Sequence, residues 1–193
     1  MKQLLALIAL VMASTSVSAA LVKNGTFTTD TATGLDWLDL TQTDGMSYQS
    51  VYSQLGPGGS FEGWEFAEPG QIASLFDSGG GTGPYDGVNP ANDGVAAALL
   101  SLWAPGYAYD VIYFFNAVGG GPGLYDQQYY GALGIASGAG TSLLVSDYCC
   151  IDQATATSGI ASALVRSTIV PVPAAVWLFT SCLGLLGWRA SRD

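Results

Sequence analysis

The chain contains no histidine. That single absence removes Ser-His-Asp and Cys-His catalysis, imidazole metal ligation and histidine-based pH switching together. Cations are nearly missing as well. Between positions 21 and 168 only Lys23 and Arg166 are basic, against 14 carboxylates. A segment with that balance repels nucleic acid and anionic headgroups, and it has little guanidinium or ammonium with which to grip phosphate. Cysteine is scarce: Cys149, Cys150 and Cys182 include no Cys-x-x-Cys spacing, so a thioredoxin-like redox motif is absent. Any catalysis would have to run on carboxylates, tyrosine or the Cys149–Cys150 pair.

What the chain does have is a strongly patterned pair of ends. Lys2, the apolar run Leu4–Met12 and the small residues Ser14–Ala20 have the three-part order of a secretory signal peptide. Ser18-Ala19-Ala20 permits cleavage after either alanine. Near the other end, Ile169 to Trp188 carries no charge over 20 residues. As a helix rising ~1.5 Å per residue, that run spans ~30 Å, one hydrocarbon core. Trp188 suits the interface, while Arg189 and Arg192 belong on the cytoplasmic side, which places the bulk of the chain outside. The expected organisation is a leader at 1–20, one extracytoplasmic domain at 21–168, and a C-terminal segment at 169–193 with a transmembrane helix and a basic tail. Export to an oxidising compartment favours oxidation of cysteines. Cys149 and Cys150 can form a vicinal disulfide, bridge to another chain, or stay reduced.

The residues Val170-Pro171-Val172-Pro173-Ala174-Ala175-Val176-Trp177-Leu178-Phe179 resemble the PEP-CTERM class of sorting signals in its VPLPA variant, with Val172 where leucine is usual. The resemblance implies export by the general secretory machinery and recognition by an exosortase, a membrane transpeptidase. It further implies an inner-membrane intermediate held by the C-terminal helix, then cleavage near Val170, Pro171, Val172, Pro173 and Ala174. The product would be a cell-surface or extracellular protein of a kind often associated with extracellular polysaccharide or biofilm matrix.

The middle domain reads as α+β. Thr26–Leu40 suggests strands around a turn, with Gly34–Leu40 forming a strand buried on one face. Ser47 can cap a helix carrying Tyr48, Val51, Tyr52 and Leu55, and Gly56-Pro57-Gly58-Gly59 ends it. Phe61–Ala67 reads as a strand and Glu68-Pro69-Gly70 as the start of a second helix. Asn92 or Asp93 can cap a third, with Val95, Leu99, Leu102 and Trp103 aligned. Tyr107–Val118 suggests a central strand. Gln128–Ser137, Thr141–Asp147 and Ile160–Thr168 suggest three more. Helices are thus expected mainly in the first half and antiparallel strands in the second.

Two segments, Thr33-Gly34-Leu35-Asp36-Trp37 and Trp64-Glu65-Phe66-Ala67-Glu68-Pro69-Gly70-Gln71-Ile72, resemble the Lcl C-terminal domain family of bacterial extracytoplasmic proteins. In the second segment Glu65 replaces the family's arginine and the proline is displaced to Pro69. This resemblance implies a C-type-lectin-like fold, on which recognition is commoner than catalysis.

Three constellations compete as sites. Asp36 and Asp39 flank Trp37, and Glu62 and Glu65 flank Trp64; paired carboxylates beside an aromatic ring suit a carboxylate-dependent hydrolase. Asp86, Asn89, Asn92 and Asp93 offer oxygen ligands in a loop, the donor set calcium prefers, though without EF-hand spacing. Tyr107, Tyr109, Tyr113, Tyr125, Tyr129 and Tyr130 can stack on sugars or simply follow strand propensity. The preferred expectation is a secreted, non-enzymatic envelope or matrix protein that needs no cofactor. A glycan-binding module, calcium-assisted or not, is the first alternative, and a hydrolase the second.

Overall fold

The computed structural model describes residues 21–106, 111–116, 127–136 and 141–168, with the backbone alone at 111, 127–130, 135–136, 141–143 and 147–150. The expected leader at 1–20, the apolar segment and sorting motif at 169–193, and Tyr107, Tyr109 and Tyr125 lie outside these residues.

A hairpin comes first. β1 (Leu21–Asn24) and β2 (Phe27–Asp30) pair antiparallel, with Asn24 opposite Phe27. Gly25 takes φ +66° in the connection, a left-handed backbone that only glycine enters without a Cβ clash. β3 (Leu35–Leu38) returns beside β2. The fully buried Asp30 holds this return: its Oδ1 accepts the Ala32 N–H at 2.9 Å and its Oδ2 accepts the Ser78 hydroxyl at 2.8 Å.

Two helices start where the cap chemistry placed them. α1 (Tyr48–Tyr52) follows Ser47, whose Oγ accepts the Ser50 N–H at 3.2 Å. α2 (Pro69–Ser78) follows Glu68, whose N–H donates to Gln71 Oε1 at 2.8 Å. α3 (Asp93–Trp103) buries Ala96, Leu99 and Trp103, while Val95 only packs against the edge of that core. The remaining strands are β4 (Glu65–Phe66), β5 (Asp86–Val88), β6 (Val111–Phe115), β7 (Gln127–Ala136), β8 (Thr141–Asp152), β9 (Ile160–Ser162) and β10 (Leu164–Ser167).

These strands make two five-stranded sheets, ordered β1-β2-β3-β10-β4 and β5-β8-β7-β6-β9. The α+β class holds, with refinements. Among the described residues every α-helix precedes Ala104, yet strands occur in both halves, because the first sheet is built largely from the N-terminal region. One pair, β6 with β9, is parallel. β9 reaches β6 only after the chain has run through β7 and β8, so no hairpin joins the two.

The single strand expected over 160–168 is two strands in different sheets. Ala163 is the joint: its N–H donates to Phe115 O at 2.9 Å, and its carbonyl accepts the Ala67 N–H at 2.8 Å. One residue therefore carries the chain from the second sheet to the first, a corner that ties the two together.

Two apolar clusters result. Trp37, Ile72, Leu75, Phe76, Leu99, Trp103, Phe114 and Val165 belong to the larger, gathered from both sheets, α2 and α3. Leu38, Tyr48, Val51, Phe61, Phe66, Phe115 and Leu164 form the smaller. Side-chain alternation along β3 sends Trp37 to one cluster and Leu38 to the other, so both faces of this strand are covered, not one. At Gly131 in β7, an added Cβ would stand 2.2 Å from a Phe114 ring carbon and 2.6 Å from Val145 O. Gly131→Ala is expected to cost about 1–3 kcal/mol, read as a lower urea midpoint at unchanged slope.

Candidate functional site

Register places the chemistry. Arg166 on β10 lies opposite Asp36 on β3, and Asp36 lies opposite Thr29 on β2. Directly opposed residues share a face, so Thr29, Asp36 and Arg166 form a row across the first sheet. Arg166 Nε donates to Asp36 Oδ2 at 3.1 Å. Thr29 Oγ1 donates to Asp36 Oδ1 at 2.7 Å and itself accepts from Asn24 Nδ2 at 2.8 Å. Asp36 is buried, its charge met by the guanidinium.

Two rings complete the row. The Arg166 guanidinium carbon sits 4.4 Å from the Trp64 ring centroid and 4.9 Å from that of Phe27. The rings lie 6.3 Å apart at 64°. The cation is thus held by a carboxylate and two quadrupoles, while its side chain stays 37% exposed.

The opposite face uses the other cation. Lys23 Nζ is ion-paired with Asp39 and donates to Leu102 O at 2.8 Å; Thr28 Oγ1 donates to the same carbonyl at 3.3 Å. Leu102 is in the last turn of α3, where a cation complements the helix dipole. Burial pushes the Asp39 carboxyl above its ordinary range, and the Lys23 bond and charge only partly oppose that. A carboxyl raised on folding takes up its proton more readily folded than unfolded. Its protonation therefore stabilises the fold as pH falls through the folded value, which lies above 3.8. The thermal midpoint is expected to rise from neutral pH towards about 4, and Asp39→Asn should flatten that rise in a calorimetric pH series.

Asp36 and Asp39 thus meet different cations on opposite faces. Glu62 Oε2 accepts the Gly58 N–H at 2.8 Å and closes its own turn. Glu65 is exposed in β4, opposite Val165, whose face is that of Trp37. Among the described residues no two of these four carboxylates share a hydrogen-bond partner or a cation. Trp37 is fully buried, but Trp64 is a half-buried surface ring over Arg166.

The oxygen-rich loop turns inward on itself. Asn89 Oδ1 accepts the Ala91 N–H at 3.0 Å, and the buried Asn92 accepts the Thr82 N–H at 2.8 Å while donating to Thr82 O at 3.0 Å. Asn92 therefore braces the loop instead of capping α3 with its side chain. Asp86 is exposed in β5, and Asp93 opens α3. Among the described residues no three His, Cys, Asp or Glu converge.

Tyr113 is 39% exposed. Tyr85 is buried and donates to Asp77 at 2.6 Å; burial first, then that bond and the Asp77 charge, hold its hydroxyl well above the tyrosine range. Tyr129 and Tyr130 lie in β7. In β8, Tyr148 pairs with Tyr130 and Ile151 with Gln128, so Cys149 and Cys150 together stand against the one residue Tyr129, at a bulge.

Arg166 and Phe27 were not among the expected site residues. The available signal was composition: a domain with two basic residues has little charge to spend idly. No family model, curated protein or solved structure matches the chain. The arrangement so far defines an α+β protein built on two mainly antiparallel sheets.

Proposed function

We propose that this is an exported, non-enzymatic protein of the bacterial envelope or extracellular matrix, sorted by an exosortase and cut near Val170–Ala174. The observation that carries the reading is the sequence Val170-Pro171-Val172-Pro173-Ala174 leading into an uncharged run and then Arg189 and Arg192. In this reading the leader directs secretion, the apolar run halts in the bilayer, and the two arginines stay cytoplasmic. Cleavage then frees the domain and removes Cys182 with the tail. The non-enzymatic part is supported by Asp36 and Asp39, which are engaged by structural ion pairs on opposite faces of the first sheet. Intact-mass spectrometry of exported protein tests the sorting. The expected species lacks both the leader and roughly the last two dozen residues. Extracellular protein that keeps its whole tail would overturn the reading.

A second reading is a glycan-binding, C-type-lectin-like module. It is favoured by the surface group of Arg166, Phe27 and Trp64. Two segments that resemble lectin-like domains supply β3 and β4, the strands on either side of β10. A glycan array with and without chelator tests it and separates calcium-assisted from calcium-independent binding.

A further inference from the structure

We propose that the Arg166 face of the first sheet binds a neutral, hydroxyl-rich saccharide, with the guanidinium edge donating to adjacent sugar hydroxyls beside the Trp64 ring. This rests on reading the domain as a glycan-binding module and is independent of tail processing.

The geometry leaves one part of Arg166 for a ligand. Its Nε is taken by Asp36, and the Trp64 and Phe27 rings lie beside the guanidinium, 4.4 Å and 4.9 Å from its central carbon. The Nη donors have no hydrogen-bond partner among the described residues, on a side chain 37% exposed. A guanidinium is planar, and its paired N–H donors match two neighbouring oxygen acceptors. Here the orientation is set before a ligand arrives, so little rotamer entropy remains to be lost on binding. The half-buried Trp64 supplies an apolar surface next to those donors, which suits the C–H face of a sugar ring.

Charge selects the class. Asp36 already balances Arg166, and Lys23, the domain's other cation, is committed to Asp39 and Leu102 O on the opposite face. With 14 carboxylates between positions 21 and 168, the surrounding field repels a polyanion. A neutral saccharide meets the same donors without that repulsion, and its binding should be indifferent to salt.

The test is affinity electrophoresis of the exported protein in native gels containing dextran, galactomannan or xyloglucan, with polygalacturonate as the anionic arm. The expected result is retardation by at least one neutral polymer, unchanged by added salt, and none by polygalacturonate. Arg166→Gln should weaken that retardation by about tenfold or more, as loss of two donors to a ligand implies. Arg166→Lys keeps a charge opposite Asp36 but loses the planar edge, and the same weakening is expected, with near-UV circular dichroism reporting the fold. Retardation that survives in a folded Arg166→Lys variant sinks this site while the glycan-binding reading stands. Retardation by polygalacturonate alone makes the face an anion site and overturns the proposed class. No retardation in any gel removes site and reading together.

Discussion

Ending the chain at Ala163 is expected to abolish cooperative unfolding, whereas ending it after Thr168 should leave the thermal midpoint within about 2 °C of the longer chain's. The contrast follows from where β10 sits. It is the last described strand in sequence but an inner strand in space, with β3 on one side and β4 on the other. Leu164 and Val165 are both fully buried, one in each apolar cluster. Deleting them removes two core side chains worth roughly 2 kcal/mol or more apiece, from a fold whose whole stability is of order 5–15 kcal/mol. It also breaks two strand ladders and leaves Asp36 buried without its cation. Thr168 is the last tie among the described residues, its N–H donating to Gly34 O at 2.9 Å. Urea titrations followed by tryptophan fluorescence would show the shorter chain with no transition. A normal transition in that chain would refute this placement of β10. The same geometry suits the proposed processing: a cut near Pro171 spares the sheet, and a cut a few residues earlier would destroy it.

Trp103→Ala is expected to cost about 3–5 kcal/mol, enough to unfold much of the population at ordinary temperature. Trp103 closes α3 against both sheets. Its ring is 1% exposed, meets Trp37 edge-on at 5.3 Å and lies 5.0 Å from Phe114. Its Nε1 donates to Leu38 O at 2.8 Å, at the end of β3. Trp103→Phe separates the two contributions. Most of the ring contact survives, but the carbonyl of Leu38 loses its donor inside the core, so a smaller loss of about 1–3 kcal/mol is expected. Chemical denaturation of both variants at constant slope checks the ordering, and equal losses would mean that the hydrogen bond contributes nothing measurable.

Local signals were legible where local physics decides the outcome. Ser47 and Pro69 mark helix starts because a hydroxyl acceptor and a missing N–H act within one turn. Short-range reasoning failed where a partner came from far along the chain. Phe61–Ala67 looks like a strand of seven residues, but only Glu65 and Phe66 form a strand, paired with Val165 and Leu164 of β10, which arrive about a hundred positions later. β8 runs on to Asp152, beyond the expected Asp147, because β7 lies alongside it that far. Asn92 has the chemistry of a helix cap, yet Thr82 offered it two bonds at once. Asp36 and Asp39 looked like a pair in sequence, and strand alternation with two separate cations set them on opposite faces.

By itself the sequence determined which side chains are on hand and where local elements begin. The absence of histidine, the excess of carboxylates and the starts of α1 and α2 are properties of residues and their immediate neighbours. Only the tertiary structure decided which cation meets which carboxylate. Arg166 and Asp36 stand 130 positions apart, and nothing within a turn or a hairpin of either names the other. Their meeting depends on β10 entering the first sheet between β3 and β4, and on a register in which a shift of one residue would turn Arg166 to the opposite face.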